Sequence, residues 1–557
     1  MCKRLGVCLI VLSGLMLRLL FVDKPDGLWN DEYVSWMIAA VPFGKGFIAA
    51  VKTQCHMPFY YLYLKFFMAL FGQSDLLLRL TSVLAGVGGI IGMYFAGSEK
   101  DRQTGLFCAG FAAISSFLIY YSQEVRFYSL LFLLSSLSLL YTMRTIKTPS
   151  KKNLALCIGA NFMIMFTHTI GFVFVFFNLL ALSVMLFKQS RKYILCAWAV
   201  TAAGALSLLP LTAKILTAQS FSQWWNNFSP AKIGFLVTDY FSPALTNLVS
   251  SPSKFFYNPS LGFIMFAVIP SVIALIFLFR SLQNRDLRWL FGVTAAVLSV
   301  LTAAAMAGKL VFLTKYSIEI YPVLIFLTCS GITSFNNKTL RNALVGIYCA
   351  LCIIYMVKSP VAAFKIRRAE GHKIAAELIK NAGLNKGDII LLEYYPKERF
   401  EKYFDFSNYN VVSVNKNNFA DYLAPSTEGI YKNGKDIYKP IFLANENEFF
   451  AEKINKNITE NLKEGRNVAV LTLNSVSFCP VNIAENEAVY KKTPFLYLVF
   501  SYIKNQSVYE LSKSLSLTRF ESKGEWSLIR FTKLHKTPKT SNIFHVHDSL
   551  YIEVFGR

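Results

Sequence analysis

From Leu5 to about Lys358 the chain alternates apolar runs of about 17–22 residues with short polar stretches. A run of that length matches the roughly 20 residues a helix needs to cross the hydrocarbon core. A helix satisfies its own backbone polar groups, which lipid cannot do. The runs predict spans over residues 5–22, 76–98, 104–121, 128–146, 154–168, 170–187, 193–217, 261–280, 289–307, 318–334 and 342–358. Lys3 and Arg4 precede the first run as they would in a signal peptide, but no small-residue cleavage site comes before Asp23. More spans follow, so the first run reads as a retained helix. Pro58 to Gly72 is apolar and aromatic but too short to span comfortably, which predicts an interfacial helix.

Beyond Lys358 the pattern changes and Lys, Asn and Glu become frequent. A helical stretch from Ala369 to Ala382 is followed by strand-like runs at Asp388–Tyr395, Asn410–Val414 and Asn467–Leu473. Strands mixed with helical patterns predict a small α/β domain. The expected fold class is a polytopic α-helical membrane protein of about eleven transmembrane helices with a C-terminal soluble α/β domain. The expected division is a transmembrane domain over 1–358 and a soluble domain over 359–557.

Composition agrees with the pattern. Of 557 residues, 54% are hydrophobic and 16% charged, against about 25% charged in a soluble globular domain. The mean hydropathy is +0.41. The formal net charge of +24 raises nucleic acid as a partner. No basic stripe with interleaved aromatics and no zinc spacing accompanies it, so nucleic-acid binding is excluded. The basic residues instead follow the loops. Lys100 and Arg102, Arg144 to Lys152, Lys188 to Lys192, Arg280 to Arg288, and Lys338 with Arg341 fall in alternate loops. The positive-inside rule places those loops in the cytoplasm with the N-terminus. Eleven spans then put the C-terminal domain on the extracytoplasmic face of a cell membrane. Six of the ten cysteines lie inside apolar runs without disulfide or metal spacing, and read as small apolar residues.

The residues able to do chemistry gather on the side assigned to the outside. Asp31 and Glu32 sit in WNDEYVSW, and His56 precedes Pro58, Tyr60 and Tyr61. Glu124, Arg126 and Tyr128 lie in SQEVRFYS, and His168 in FTHTIGF. Lys309, Lys315 and Tyr316 occupy GKLVFLTKYS. Each alone has an ordinary explanation: a solvated acidic pair, a local Glu–Arg pair, an interfacial histidine, a snorkelling lysine. Together they are what transfer from an anionic lipid donor requires. A carboxylate takes the proton of an incoming hydroxyl, and cations offset the charge on a departing phosphate. Ionisable groups at the membrane edge are costly enough to point to function.

The order of these motifs resembles the GT-C superfamily of membrane glycosyltransferases. The nearest branch is that of dolichyl-phosphate-mannose–protein mannosyltransferases and bacterial aminoarabinose transferases. The resemblance rests on Asp-Glu after the first helix, His-Met-Pro-Phe-Tyr-Tyr, LLRLTSVLAG, YYSQEVRFYSL and KYSIEIYPVL, in that order. Many relatives carry two prolines after the position of His56, where Met57 interrupts the pair here. The resemblance implies a polyprenyl-phosphate-sugar donor, a hydroxyl acceptor on a protein, glycolipid or glycan, and inversion at the anomeric carbon. It puts Asp31, with its neighbour Glu32, at the acceptor-activating carboxylate, Glu124 or Arg126 at a second functional position, and Lys315 at the phosphate. Tyr60, Tyr61, Trp224 and Trp225 would stack on sugar or line the lipid groove. No cofactor is called for, although some relatives place a metal ligand near His56. His56 and His168 would supply two ligands to a divalent metal, which falls short of a zinc site. A transporter or flippase of lipid-linked sugars is the alternative. It predicts matched halves with broken helices, a symmetry the sequence lacks.

Overall fold

The computed structural model describes residues 2–24, 27–53, 56–217, 231–244, 264–307, 312–358, 372–394, 397, 400–415, 468–473, 515–523 and 526–534. The chain divides into two compact units. One comprises Met1–Lys24 with Val34–Arg367, the other Pro25–Tyr33 with Arg368–Arg557.

The first unit is helical. Its described elements begin with α1 (Cys2–Leu19), α2 (Asn30–Ala40, whose first turn belongs to the second unit), α3 (Lys45–Thr53) and α4 (Phe59–Phe71). There follow α5 (Asp75–Ser98), α6 (Arg102–Ile114), α7 (Ser116–Tyr121), α8 (Tyr128–Lys147), α9 (Lys151–Thr167) and α10 (Gly171–Ser207). Later helices cover Leu209–Thr217, Ala231–Phe241, Ile269–Ser281, Arg288–Met306, Tyr321–Thr333 and Lys338–Lys358. Six described segments are long and apolar enough to cross a membrane: Asp75–Ser98, Tyr128–Lys147, Ile264–Ser281, Arg285–Met306, Thr314–Thr333 and Lys338–Val357.

Three predicted spans differ in detail. Residues 104–121 form two helices, because Ser115 adopts an extended conformation between α6 and α7. The Ser115 hydroxyl accepts the Leu118 N–H and restarts the helix. The runs over 170–187 and 193–217 are joined in α10, which kinks at Ser190 (φ −139°, ψ 34°).

The break at Ser115 strands carbonyls of α6 in an apolar interior, and Arg18 meets them. Its guanidinium is fully buried. Nη2 donates to the Ala112 carbonyl at 2.9 Å, Nη1 to Ala113 at 3.2 Å and to Gly14 at 3.0 Å, and Nε to the Ser122 hydroxyl at 3.1 Å. Gly86 on α5 makes room, since a Cβ there would lie 3.0 Å from Arg18 Nε. Small residues allow the same close approach elsewhere in the bundle, as expected where helices pack in lipid.

At one end of this unit Glu99 pairs with Arg144 at 2.7 Å. Lys100 donates to the Ser330 carbonyl and to the hydroxyls of Thr333 and Ser334. Loops assigned to one side by their charge thus meet at one end of the bundle.

In the second unit a five-stranded sheet has the order β2-β1-β3-β5-β4, with β1 Ile389–Tyr394, β2 Asn410–Asn415, β3 Val468–Leu473, β4 Leu515–Lys523 and β5 Trp526–Leu534. β1 runs parallel to β2 and β3, while β5 is antiparallel to β3 and β4. The helix His372–Asn381 buries Ala375, Leu378 and Ile379 with Ile390, Leu392 and Phe400. Their spacing is that of an amphipathic face.

Two expectations follow. Gly331 faces the Phe277 backbone so closely that a Cβ would collide with its carbonyl. Gly331→Ala should lower thermal stability in detergent by about 1–3 kcal/mol, whereas Gly110→Ala, with open space around it, should leave the melting midpoint unchanged. Arg18→Met should cost on the order of 3 kcal/mol, because it leaves two buried carbonyls without donors; a wild-type melting curve would show that those carbonyls find other partners.

Candidate active site

The loop Ser122–Phe127 is buried, which is unusual for a connection and requires its polar groups to be met. Gln123 Nε2 donates to the Leu20 carbonyl at 2.7 Å and the Arg18 carbonyl at 3.2 Å. The Ser82 hydroxyl of α5 donates to the Glu124 carbonyl at 2.6 Å. Ser129 of α8 bonds the Tyr121 carbonyl and the Ser122 hydroxyl. α1, α5 and α8 therefore fix the loop from three sides, and Glu124 and Arg126 are held buried within it.

A second segment, the 3₁₀ turn Thr314–Ile320, carries Lys315, Tyr316 and Glu319. The helix Ala231–Phe241 holds it: Tyr240 Oη donates to the Thr314 carbonyl at 3.1 Å, and Thr314 Oγ1 donates to Asp239 at 2.8 Å. Tyr321 stacks on Tyr240 with ring centres 4.3 Å apart, and its hydroxyl bonds the Tyr240 carbonyl and Ser115. The break in the α6–α7 rod and the turn are thereby tied together.

Around Phe127 the two segments meet. The Arg126 guanidinium lies 5.1 Å from the Phe127 ring centre, and the His168 ring lies 5.0 Å from it. His168 ends α9, and its Nδ1 bonds Glu319 at 2.6 Å. Lys315 Nζ sits 5.6 Å over Tyr128 and 5.3 Å over Tyr316, whose ring is 6.0 Å from that of His168. From α4, Tyr60 reaches Phe127 edge-on at 6.2 Å and contacts Tyr61, on which His56 stacks at 5.8 Å. Cations held over aromatic rings are stabilised by the ring quadrupole, and Arg126 and Lys315 are held in this way beside His168.

Of the expected residues, the first unit thus gathers His56, Tyr60, Tyr61, Arg126, Tyr128, His168, Lys315 and Tyr316 through contiguous rings, with Glu124 in the same loop. Asp31 and Glu32 lie in the first turn of α2, within the second unit. Glu32 is fully buried and its Oε2 accepts the Trp29 N–H at 3.2 Å. This is one half of a capping box, in which the third helical residue reaches back to the cap. Asp31 is partly exposed. Lys309, Trp224 and Trp225 lie outside the described residues. Among the described residues no three His, Cys, Asp or Glu side chains gather as a metal site.

Sequence reasoning missed Glu319, Asp239 and Arg18. The signal available for Glu319 and Arg18 was a charge inside an apolar run, since such charges face the bundle interior and carry a task. One Glu319 oxygen, Oε2, has no hydrogen-bond partner among the described residues although it is buried.

Known proteins bear on this geometry. Residues 55–216 match the family model described as dolichyl-phosphate-mannose-protein mannosyltransferase. No curated protein matches the sequence. Among solved structures, apo ArnT from Cupriavidus metallidurans superposes with a TM-score of 0.52 at 11% identity, over 95% of this chain and 98% of its own. The same enzyme bound to undecaprenyl phosphate gives 0.49 at 12% identity, covering 94% and 97%. The oligosaccharyltransferase of Archaeoglobus fulgidus gives 0.41 at 13%, covering 85% of this chain and 70% of that one. At 11% identity the likeness to apo ArnT is one of fold. Fold and sequence agree on the class they resemble, the GT-C membrane glycosyltransferases. Within that class the stretch from residue 55 to 216 is mannosyltransferase-like.

The His168–Glu319 bond joins α9 to the turn carrying Lys315. Glu319→Leu should destabilise the protein by about 1–3 kcal/mol in thermal unfolding, since it leaves a largely buried imidazole nitrogen unmet. Glu319→Gln keeps an acceptor and should cost less than half as much. Equal losses from both would mean that the hydrogen bond does not hold the turn.

Proposed function

We propose that this protein transfers a sugar from a polyprenyl-phosphate donor to a hydroxyl acceptor on the extracytoplasmic face of the membrane. The observation that carries the reading is the patch on which Arg126, His168 and Lys315 share the rings of Phe127, Tyr128 and Tyr316. Such a patch suits a phosphate at the membrane edge, and the mannosyltransferase-like match over residues 55–216 favours a lipid-phosphate sugar as its source. In this reading the bond between the anomeric carbon and the phosphate oxygen breaks as the acceptor oxygen attacks from the opposite face. The configuration inverts. Asp31 takes the acceptor proton, and the cationic patch offsets the charge left on the phosphate. Glu124 stands at the second functional position. Tyr60, Tyr61 and His56 adjoin the patch through ring contacts, and their aromatic faces are assigned to the sugar or the prenyl chain.

The accompanying topology is eleven spans within residues 1–358, a cytoplasmic N-terminus, and an extracytoplasmic α/β domain over 359–557. Glu32 serves the helix cap, which leaves Asp31 as the carboxylate assigned to the acceptor. The sugar transferred is a hexose or pentose, and the acceptor a hydroxyl of a protein, glycolipid or envelope glycan.

The test is transfer from a labelled panel of polyprenyl-phosphate sugars by purified protein supplied with membrane extract. Asp31→Asn should reduce turnover at least a hundredfold, within the usual range for loss of a general base. Lys315→Ala should lower turnover by about 10²–10³, the range for removing one charge-stabilising donor. Full activity of Asp31→Asn would remove the base from the mechanism, and an unaffected Lys315→Ala would move the phosphate elsewhere.

A further inference from the structure

The segment that introduces α2 is built into the C-terminal unit. Leu28 is completely buried, and both of its backbone polar groups are taken by side chains far along the chain. Its N–H donates to Tyr403 Oη at 2.8 Å, 375 residues on. Its carbonyl lies 3.2 Å from His372 Nδ1, 344 residues on. A carbonyl only accepts, so His372 carries a proton on Nδ1 and donates it.

Three further features hold this clamp. Gly27 has φ +86°, and a Cβ there would sit 2.7 Å from Lys373 Cβ and 2.9 Å from Tyr403 Oη. Glycine alone meets both demands. The His372 ring is fully buried, edge-on to Phe400 at 5.4 Å and tilted against Tyr33 at 6.3 Å. Finally, Glu32 closes the first turn of α2 onto Trp29. Burial of the Leu28 side chain alone would let the segment slide or rotate. Bonds to both sides of its peptide fix its height and its direction, and α2 begins two residues later.

We infer that the C-terminal domain positions Asp31, with His372 and Tyr403 as positioning residues that act through the first turn of α2. The inference rests on the reading of Asp31 as the base. Its cost and benefit are set by distance: Asp31 is three residues beyond Leu28, and a misplacement of about 1 Å at a reacting group can cost about a hundredfold in rate. The domain therefore belongs to the catalytic apparatus as a scaffold for the carboxylate, whether or not it also receives the acceptor.

Tyr403→Phe, His372→Leu and His372→Asn would be compared in the full-length protein, each alone and combined with Asp31→Asn. The assay is transfer from a polyprenyl-phosphate sugar with membrane extract as acceptor source, with hydrogen exchange of the peptide covering residues 27–33 measured alongside. Tyr403→Phe and His372→Leu should lower kcat about ten- to a hundredfold and leave the donor KM within about twofold, with faster exchange in that peptide. His372→Asn, whose amide can donate, should recover part of the loss. In the Asp31→Asn background neither clamp variant should reduce the residual rate further. Unchanged kcat in both single variants would overturn the inference, as would losses that multiply fully with Asp31→Asn. Should Asp31→Asn itself be active, the base reading fails on that measurement alone, and the exchange data still report whether the clamp holds the segment.

Discussion

A buried guanidinium organises the transmembrane unit. Carbonyls released by a broken helix have no water to turn to in an apolar interior, and each would cost a few kcal/mol if left unmet. Arg18 meets the carbonyls of Ala112 and Ala113 and reaches on to Ser122. That single side chain permits the break at Ser115 and fixes the start of the loop bearing Glu124 and Arg126. It also explains a small-residue requirement on a third helix, because Gly86 must leave space for the Arg18–Ser122 bond. A lysine would supply one compact charge without the planar fork that spans neighbouring carbonyls.

The cationic patch depends on that loop. Phe127 ends it and Tyr128 follows, and they provide the rings against which Arg126, His168 and Lys315 rest. Aromatic rings stabilise a neighbouring cation through their quadrupole. Glu319 engages one ring nitrogen of His168. Glu319 in turn joins the end of α9 to the turn that carries Lys315, so the placements of His168 and Lys315 are coupled through one hydrogen bond.

Sequence legibility varied with the range of the interaction. Membrane crossing was readable because it depends on the length and apolarity of local runs, and described helices cover the predicted segments with shifts of a few residues. The likeness to GT-C transferases was readable from short motifs in order, and the fold match and the family match over residues 55–216 agree with it. The division of 104–121 was not readable. Serine inside an apolar run is ordinary, and only the partner on α1 makes the break at Ser115 tolerable. Glu319 was passed over for a similar reason: it sits in a run whose meaning comes from His168, 151 residues earlier.

The sequence by itself determined that this chain crosses a membrane repeatedly, which loops carry the positive charge, and which short motifs hold its ionisable groups. Each of these follows from local composition, because transfer into lipid and the siting of charge are decided residue by residue. Only the tertiary structure decided how those groups are used. It set Glu32 to closing a helix turn, placed Arg18 on the carbonyls of another helix, brought Arg126, His168 and Lys315 from three segments onto neighbouring rings, and gave the peptide of Leu28 to His372 and Tyr403. Hydrogen bonds and ring contacts are short-ranged in space but indifferent to distance along the chain, so no local pattern announces them.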